Sequence, residues 1–236
     1  MNTALILSGG TGTRLGTDIP KQYLKVNDKP ILSYCLELFS SHEDIAAIQI
    51  VAEPIWQARI LEWLEPIDKR KKFKGFSLPG ENRQLSILHG LEDIWKYACQ
   101  EDRVIIHDGA RPLLTAKLAG ECLQAVKGHD GVLPVLPMKD TVYQSRDGKA
   151  ISSLLDRNSI FAGQAPEVFL LGKYYEANRR LFPEKILEIK GSTEPAIMAG
   201  MDIVMIPGDE GNFKITTRED LERFRQLASS LERTRG

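Results

Sequence analysis

Short apolar runs alternate along the chain with segments whose apolar positions recur every three or four residues. The run TALILS (3–8) predicts a strand. PILSYCLELFSS (30–41) predicts a helix with Pro30 in its first turn, where a missing N–H is harmless. IAAIQIVA (45–52) predicts a second strand, PIWQARILEWLEPI (54–67) a helix, and KGFSLPG (74–80) a short strand. From Asn82, the segment 82–100 sets Leu85, Leu88, Leu91 and Trp95 at helical spacing. RVIIHDGARP (103–112) reads as a buried strand running into a loop, and GVLPVLP (131–137) as another strand. Repetition of this kind predicts a mostly parallel sheet with helices on both faces.

After Pro137 the pattern changes. KDTVYQSRDGKAISSLLDRN (139–158) holds two short alternating segments around Asp147-Gly148, a hairpin signal. A hairpin there would project from a parallel sheet, so the reading is an arm at about 138–160, of the kind that embraces another subunit. Two helical segments follow, then a strand at MDIVMIP (201–207) and a last helix from TTREDLERF (216–224), with Thr217 and Asp220 as a capping box. No internal repeat, low-complexity tract or linker interrupts the chain. The expectation is one α/β domain over 1–236, Rossmann-like, with the projecting β-arm.

Composition adds limits. Lys and Arg number 31 against 32 Asp and Glu, a formal charge of −1, which gives no reason to expect nucleic acid or an anionic membrane as partner. Cys35, Cys99 and Cys122 are widely spaced, and the four histidines are scattered. Neither set suggests a disulfide framework or a structural metal. The start MNTALILSGG lacks a basic region, its apolar run is short for a signal peptide, and no stretch approaches a membrane span; the expected location is the cytoplasm.

The candidate chemistry begins at LILSGGTGTRLGTDIPKQYL (5–24). A glycine-rich turn after a first strand lets backbone approach a phosphate closely. No Walker loop occurs, and Gly10, Gly12 and Gly16 give G-x-G-x-x-x-G where a dinucleotide site needs G-x-G-x-x-G. Arg14 and Lys21 point elsewhere. A triphosphate attacked at its α-phosphorus accumulates charge that fixed cations in a dry pocket stabilise.

Together, SGGTGTRLG and PKQYL resemble the nucleotidyltransferases that load a sugar or polyol phosphate onto a nucleotide. PKQYL points to the polyol-phosphate cytidylyltransferase family, which includes the 2-C-methyl-D-erythritol 4-phosphate and ribitol-5-phosphate enzymes. The resemblance covers nearly the whole chain through five motifs in order. It implies a nucleotide site on Ser8, Gly9, Gly10, Thr11 and Gly12, with Arg14 and Lys21 as catalytic cations. In GENRQLSILHGL (80–91) it implies that Gly80, Glu81 and Ser86 bind the cytosine while Arg83 supports the loop. In HDGARP (107–112), Asp108 and Gly109 would face the nucleotide, Asp108 also the magnesium-bound phosphates, and Asp108 and Arg111 the acceptor. Thr141 and Arg157, in the arm motifs KDT and DRN, would reach the acceptor of a neighbouring subunit in a homodimer. Lys214, in NFKITTREDL (212–221), would orient the acceptor phosphate and help neutralise the triphosphate.

The reaction implied is transfer of CMP from CTP to a polyol phosphate, with pyrophosphate released and Mg²⁺ held largely by the phosphates. Two segments depart from the family: GQAPEVF (163–169) has Ala165 where a threonine is usual, and GSTEP (191–195) replaces a TD pair. In the second, Ser192 or Thr193 is a substitute for the missing hydroxyl. The motifs favour methylerythritol phosphate as acceptor, with ribitol phosphate as the alternative. A CTP-binding protein without turnover and an enzyme using UTP are the rival readings.

Overall fold

The computed structural model describes residues 1–10 and 19–233. Strand β1 (Asn2–Leu7) lies at the centre of the main sheet. Ala4, Leu5 and Ile6 are fully buried, so the strand reads as one apolar run with no alternation. A two-residue ladder, β2 (Lys25–Val26) with β3 (Lys29–Pro30), turns the chain at Asn27 and Asp28, both in the left-handed region, into helix α1 (Ile31–Ser41). Strand β4 (Ala47–Val51), helix α2 (Pro54–Leu64), strand β5 (Phe73–Ser77), helix α3 (Arg83–Trp95) and strand β6 (Arg103–Asp108) follow. Strands β4 and β6 flank β1 and β5 lies beyond β4, all parallel.

Helix α4 (Ala116–Ala125) leads to strand β7 (Gly131–Pro137), and the arm is a hairpin of β8 (Val142–Gln144) and β9 (Ser153–Leu155), a two-stranded sheet of its own. Helix α5 (Leu171–Arg179) and the short α6 (Glu194–Met198) are the two helical segments read after the arm. Two strands precede them that the residue pattern does not reveal: β10 (Phe161–Gly163) and β11 (Glu167–Leu170). They are three and four residues long, too short to display a period, and β11 opens on a charged residue type. Yet β11 enters the sheet antiparallel between β6 and β7. Strand β12 (Ile203–Pro207) pairs in parallel with β7, and α7 (Arg218–Arg233) ends the described chain. The main order is β10-β7-β11-β6-β1-β4-β5, with β12 also on β7.

Helices cover both faces, as the pattern predicts. On one, α1, α2 and α4 pack Leu36, Ile60 and Leu118 around Ile6 and Ile48. On the other, α3 and α5 pack Ile87, Leu91 and Leu171 around Leu5 and Ile106. Helix α3 comes so close to β1 that a Cβ on Gly90 would sit 2.4 Å from Leu5 Cδ1. Helix α7 buries Leu221, Phe224 and Ala228 against Ile31 and Ile215, and its capping box is formed: Thr217 Oγ1 accepts from Asp220 N–H at 3.2 Å and Asp220 Oδ2 from Thr217 N–H at 2.9 Å. Among the described residues no helix is long and apolar enough to cross a membrane.

Candidate active site

The register of the parallel strands fixes the site. Leu7 stands opposite both Asp108 and Val51, and Val51 opposite Ser77, so four strands end in one row. Beyond that row the chains leave the sheet separately and open a crevice, the usual ligand position in open α/β sheets. A cavity of about 460 Å³ lies there, lined by Gly9, Gly10, Lys21, Gln22, Glu53, Gly80, Glu81, Arg83, Ser86, Asp108 and Lys214, among others.

Its floor is tied down by PKQYL. Gln22 Nε2 donates to the carbonyls of Ser8 (2.7 Å) and Gly10 (2.8 Å), and Tyr23 Oη donates to Ser8 O (2.8 Å). Tyr23 in turn stacks on Trp56 at 4.3 Å between ring centroids. These contacts hold the loop after β1 and bring the buried Lys21 to the cavity. Gly9 is packed tightly: a Cβ there would fall 2.5 Å from Pro79 Cβ. Thr11, Gly12 and Arg14 lie outside the described residues.

The opposite wall is the turn into α3. Asn82 caps the helix by accepting from Leu85 N–H, and Ser86 Oγ accepts from Gly80 N–H at 2.9 Å while donating to Asn82 O at 2.9 Å. Ser86 therefore stabilises the turn on which Gly80 and Glu81 line the cavity.

At the end of β6 one carboxylate gathers three cations. Asp108 Oδ1 accepts from Arg83 Nε (3.1 Å); Oδ2 pairs with Lys214 Nζ (3.0 Å) and Arg111 Nε (3.3 Å). The Asp108 side chain is only 9% exposed. Burial opposes its ionisation, but the charges of Arg83, Lys214 and Arg111 outweigh burial and hold the carboxyl well below the usual range. Three cations on one anion leave the cluster positive, the sign a phosphate requires.

Lys214 reaches the cluster because its loop is suspended from two neighbours. Gln164 accepts from Asp209 N–H and donates to Asp209 O, both at 3.0 Å, and Asn212 Nδ2 donates to Ala165 O at 2.7 Å. In the loop after β6, Arg111 Nη1 donates to Asn212 O (2.6 Å), and Ala110 O accepts from Ile215 N–H (2.9 Å). The loop of Arg111 is itself held by His107, whose Nε2–H donates to Arg111 O at 3.0 Å. Burial pushes His107 down to about 4, so its ring is neutral at pH 7.

Beside Arg83 lies a second buried polar group. Glu167 stands opposite Ile106, two residues before Asp108, on the α3 face. Its Oε1 accepts from Ser192 Oγ at 2.6 Å, and its Oε2 has no partner among the described residues. Burial raises its pKa, against the opposing charge of Arg83. Ser192 also accepts at its carbonyl from Tyr174 Oη (2.6 Å) and is buried. The GSTEP segment thus spends the Ser192 hydroxyl on Glu167.

Several sequence-derived candidates converge in this cavity: Gly9, Gly10, Lys21, Gly80, Glu81, Arg83, Ser86, Asp108 and Lys214. Ser8 supports it from beneath, Arg111 from beside Asp108, and Gly109 uses its N–H on Leu7 O (2.9 Å). Thr141 and Arg157 do not join them. They line a hollow on the arm with Leu154, Leu155, Asp156 and Asn158, and Arg157 Nη1 donates to Lys139 O at 2.9 Å. Sequence reasoning gave no role to Gln22, Tyr23, Gln164, Asn212 or Glu53. For Gln22 a signal existed, an amide beside Lys21 in PKQYL; the others depend on contacts between distant segments.

Comparison with known proteins agrees with this architecture. The family model for IspD, 2-C-methyl-D-erythritol 4-phosphate cytidylyltransferase, matches residues 3–228. The chain is 36% identical over 241 residues to a 2-C-methyl-D-erythritol 4-phosphate cytidylyltransferase of Rubrobacter xylanophilus, covering 98% of this chain and 96% of that one. It is 31% identical over 236 residues to a ribitol-5-phosphate cytidylyltransferase of Streptococcus agalactiae, covering 98% and 97%. Its fold matches the crystal structure of 2-C-methyl-D-erythritol 4-phosphate cytidylyltransferase from Francisella tularensis with a TM-score of 0.80 at 24% identity, over 95% of this chain and 98% of that one. The chain belongs to the IspD family of cytidylyltransferases, and it is a nucleotidyltransferase.

Proposed function

We propose that this enzyme transfers CMP from CTP to 2-C-methyl-D-erythritol 4-phosphate. The observation that carries the proposal is the Asp108 cluster sharing one cavity with Lys21, at the row where β1, β4 and β6 end. An acceptor phosphate oxygen bonds to the α-phosphorus as the bond to the β-phosphate oxygen breaks, and the electron pair leaves with pyrophosphate. The acceptor phosphate is already an anion near neutral pH, so no protein base is needed. Lys21 and Lys214, with Arg14 from the sequence motif, stabilise the charge that builds at phosphorus and on the leaving group. Arg111 and Arg83 hold Asp108 in place, and Asp108 restrains Lys214 until phosphate competes for it.

Among the described residues, no group of three or more His, Cys, Asp and Glu side chains is placed to hold a metal. In this reading Mg²⁺ would be carried largely by phosphate oxygens, with Asp108 a carboxylate of the cavity wall beside it, and the ion would neutralise phosphate charge.

The arm carries the acceptor half of the proposal. Tyr143, Ile151, Leu154 and Phe161 are exposed apolar side chains on and beside it, Ile151 at 68% and Leu154 at 65%. In our reading they pack on a second copy, so that Arg157 and Thr141 of one subunit meet the acceptor bound in the other, in a cytoplasmic homodimer. The guanidinium of Arg157 suits a terminal phosphate because its fork bonds two oxygens at once.

Ribitol 5-phosphate is the second reading, favoured by the Streptococcus agalactiae relatives and by the Gly163-Gln164 pair of GQAP. Pyrophosphate release from CTP, measured with methylerythritol 4-phosphate, ribitol 5-phosphate and related polyol phosphates, decides between them. Turnover highest with methylerythritol 4-phosphate supports the proposal, and turnover with none refutes it.

A further inference from the structure

Glu53 follows β4 and starts α2, yet its side chain takes no part in capping that helix. Asn82 and Thr115, at the starts of α3 and α4, both accept a hydrogen bond from their helices' first turns. The Glu53 carboxylate has no hydrogen-bond or ion-pair partner among the described residues. It lines the active-site cavity with Gly9, Val51, Gly80 and Ser86.

Its position separates it from the phosphate end. Val51 and Glu53 come from the β4 side of β1, whereas Asp108 and Lys214 gather at the end of β6 on the other side. A carboxylate only accepts hydrogen bonds and repels phosphate, so the nucleotide part beside it must donate. Base and ribose have donors; the triphosphate has none. Cytosine carries an exocyclic amino group where uracil carries a carbonyl oxygen. Against a carboxylate the first makes a charge-assisted bond, and the second sets lone pairs against lone pairs.

We propose that Glu53 determines base specificity, accepting a hydrogen bond from the exocyclic amino group of cytosine and excluding uridine nucleotides. The inference rests on the assignment of CTP as substrate, but not on the identity of the acceptor.

Equilibrium binding of CTP and UTP, each with Mg²⁺ and without any acceptor, tests it by calorimetry on the wild type, Glu53→Gln and Glu53→Ala. The amide of the Gln variant can turn its N–H₂ toward uracil O4. Its preference for CTP over UTP should therefore fall about tenfold or more, partly by gain of UTP. The Ala variant should lose CTP affinity about tenfold and gain UTP only modestly, since it removes the lone-pair clash without offering uracil a donor. A CTP-to-UTP ratio unchanged in both variants overturns the proposal, including the case in which both nucleotides weaken equally, as a ribose, metal or loop contact would make them. Thermal melts confirm that each variant is folded before its ratio is read. The ratio is separable from the functional assignment: failure of every acceptor to give pyrophosphate leaves these binding measurements intact.

Discussion

Lys214 Nζ stands 3.0 Å from Asp108 Oδ2, an oxygen also held by Arg111, while the other carboxylate oxygen holds Arg83. One anion thus restrains three cations contributed by α3, by the loop after β6, and by the loop before α7. Without substrate the carboxylate keeps these charges from repelling one another. A bound triphosphate offers them better partners.

Asp108→Asn removes that anion and leaves three cations facing each other in a half-closed site. Breaking one side of a buried ionic cluster costs on the order of 3–5 kcal/mol. The melting temperature should fall, and CTP should raise it more in the variant than in the wild type, because added phosphate restores the missing negative charge. Thermal melts with and without CTP check this. Equal CTP-induced shifts in both proteins would contradict it.

His107 makes stability sensitive to acid. Its folded value lies at about 4, below the ordinary 6.5, because burial disfavours the charged ring. The neutral ring therefore contributes stability fully above pH 6.5, and that contribution disappears as pH falls toward 4, by about 3 kcal/mol at most. Urea unfolding from pH 7.5 to 4.5 should show the loss, and His107→Gln should show a shallower slope from a lower starting stability. Identical slopes would count against a buried neutral histidine.

Glu167 shifts the other way. Burial raises its pKa above the ordinary 4.5, so the stability tied to its neutral form is fully present below pH 4.5 and is lost as pH rises through the folded value. Glu167→Gln, neutral at every pH and still able to accept from Ser192, should keep activity and gain stability relative to the wild type as pH rises above 4.5. Glu167→Ala strands the Ser192 hydroxyl and opens a cavity, and should lose about 2–4 kcal/mol. Unfolding curves of the three proteins at a series of pH values from 4.5 to 9 compare them. A Gln variant that loses ground on the wild type as pH rises would reverse the assignment.

The arm proposal predicts complementation. Arg157→Ala and Lys214→Ala should each be nearly inactive alone. Subunits mixed after co-expression should regain about a quarter of wild-type activity, since half the dimers are mixed and each then has one intact site. No recovery from dimers shown to be mixed would place both residues in the same subunit's site.

How much of this was legible beforehand depends on distance along the chain. The motif 107–112 ends a strand, and the position of Asp108 at the carboxyl edge follows from that alone. Lys21, Gly80 and Ser86 lie in short motifs whose loops fold locally, so they too were readable. The Gln164–Asp209 clasp that delivers Lys214 joins segments 45 residues apart and has no periodic signature. Strand β11 was hidden for a similar reason: four residues carry too little pattern, and its antiparallel place is set by β6 and β7. The Glu167–Ser192 bond accounts for a departure the motifs could only mark, because it depends on the start of β11 and a distant turn meeting in the interior.

The central claim is that cations fixed at the strand ends stabilise cytidylyl transfer rather than merely binding nucleotide. Single-turnover formation of CDP-methylerythritol by Lys214→Ala, alongside CTP binding measured by calorimetry, tests it most directly. The account predicts a rate lowered about 10²- to 10³-fold with CTP affinity changed less than about tenfold. A variant that turns over at the wild-type rate, or one whose whole defect is weaker CTP binding, would contradict it.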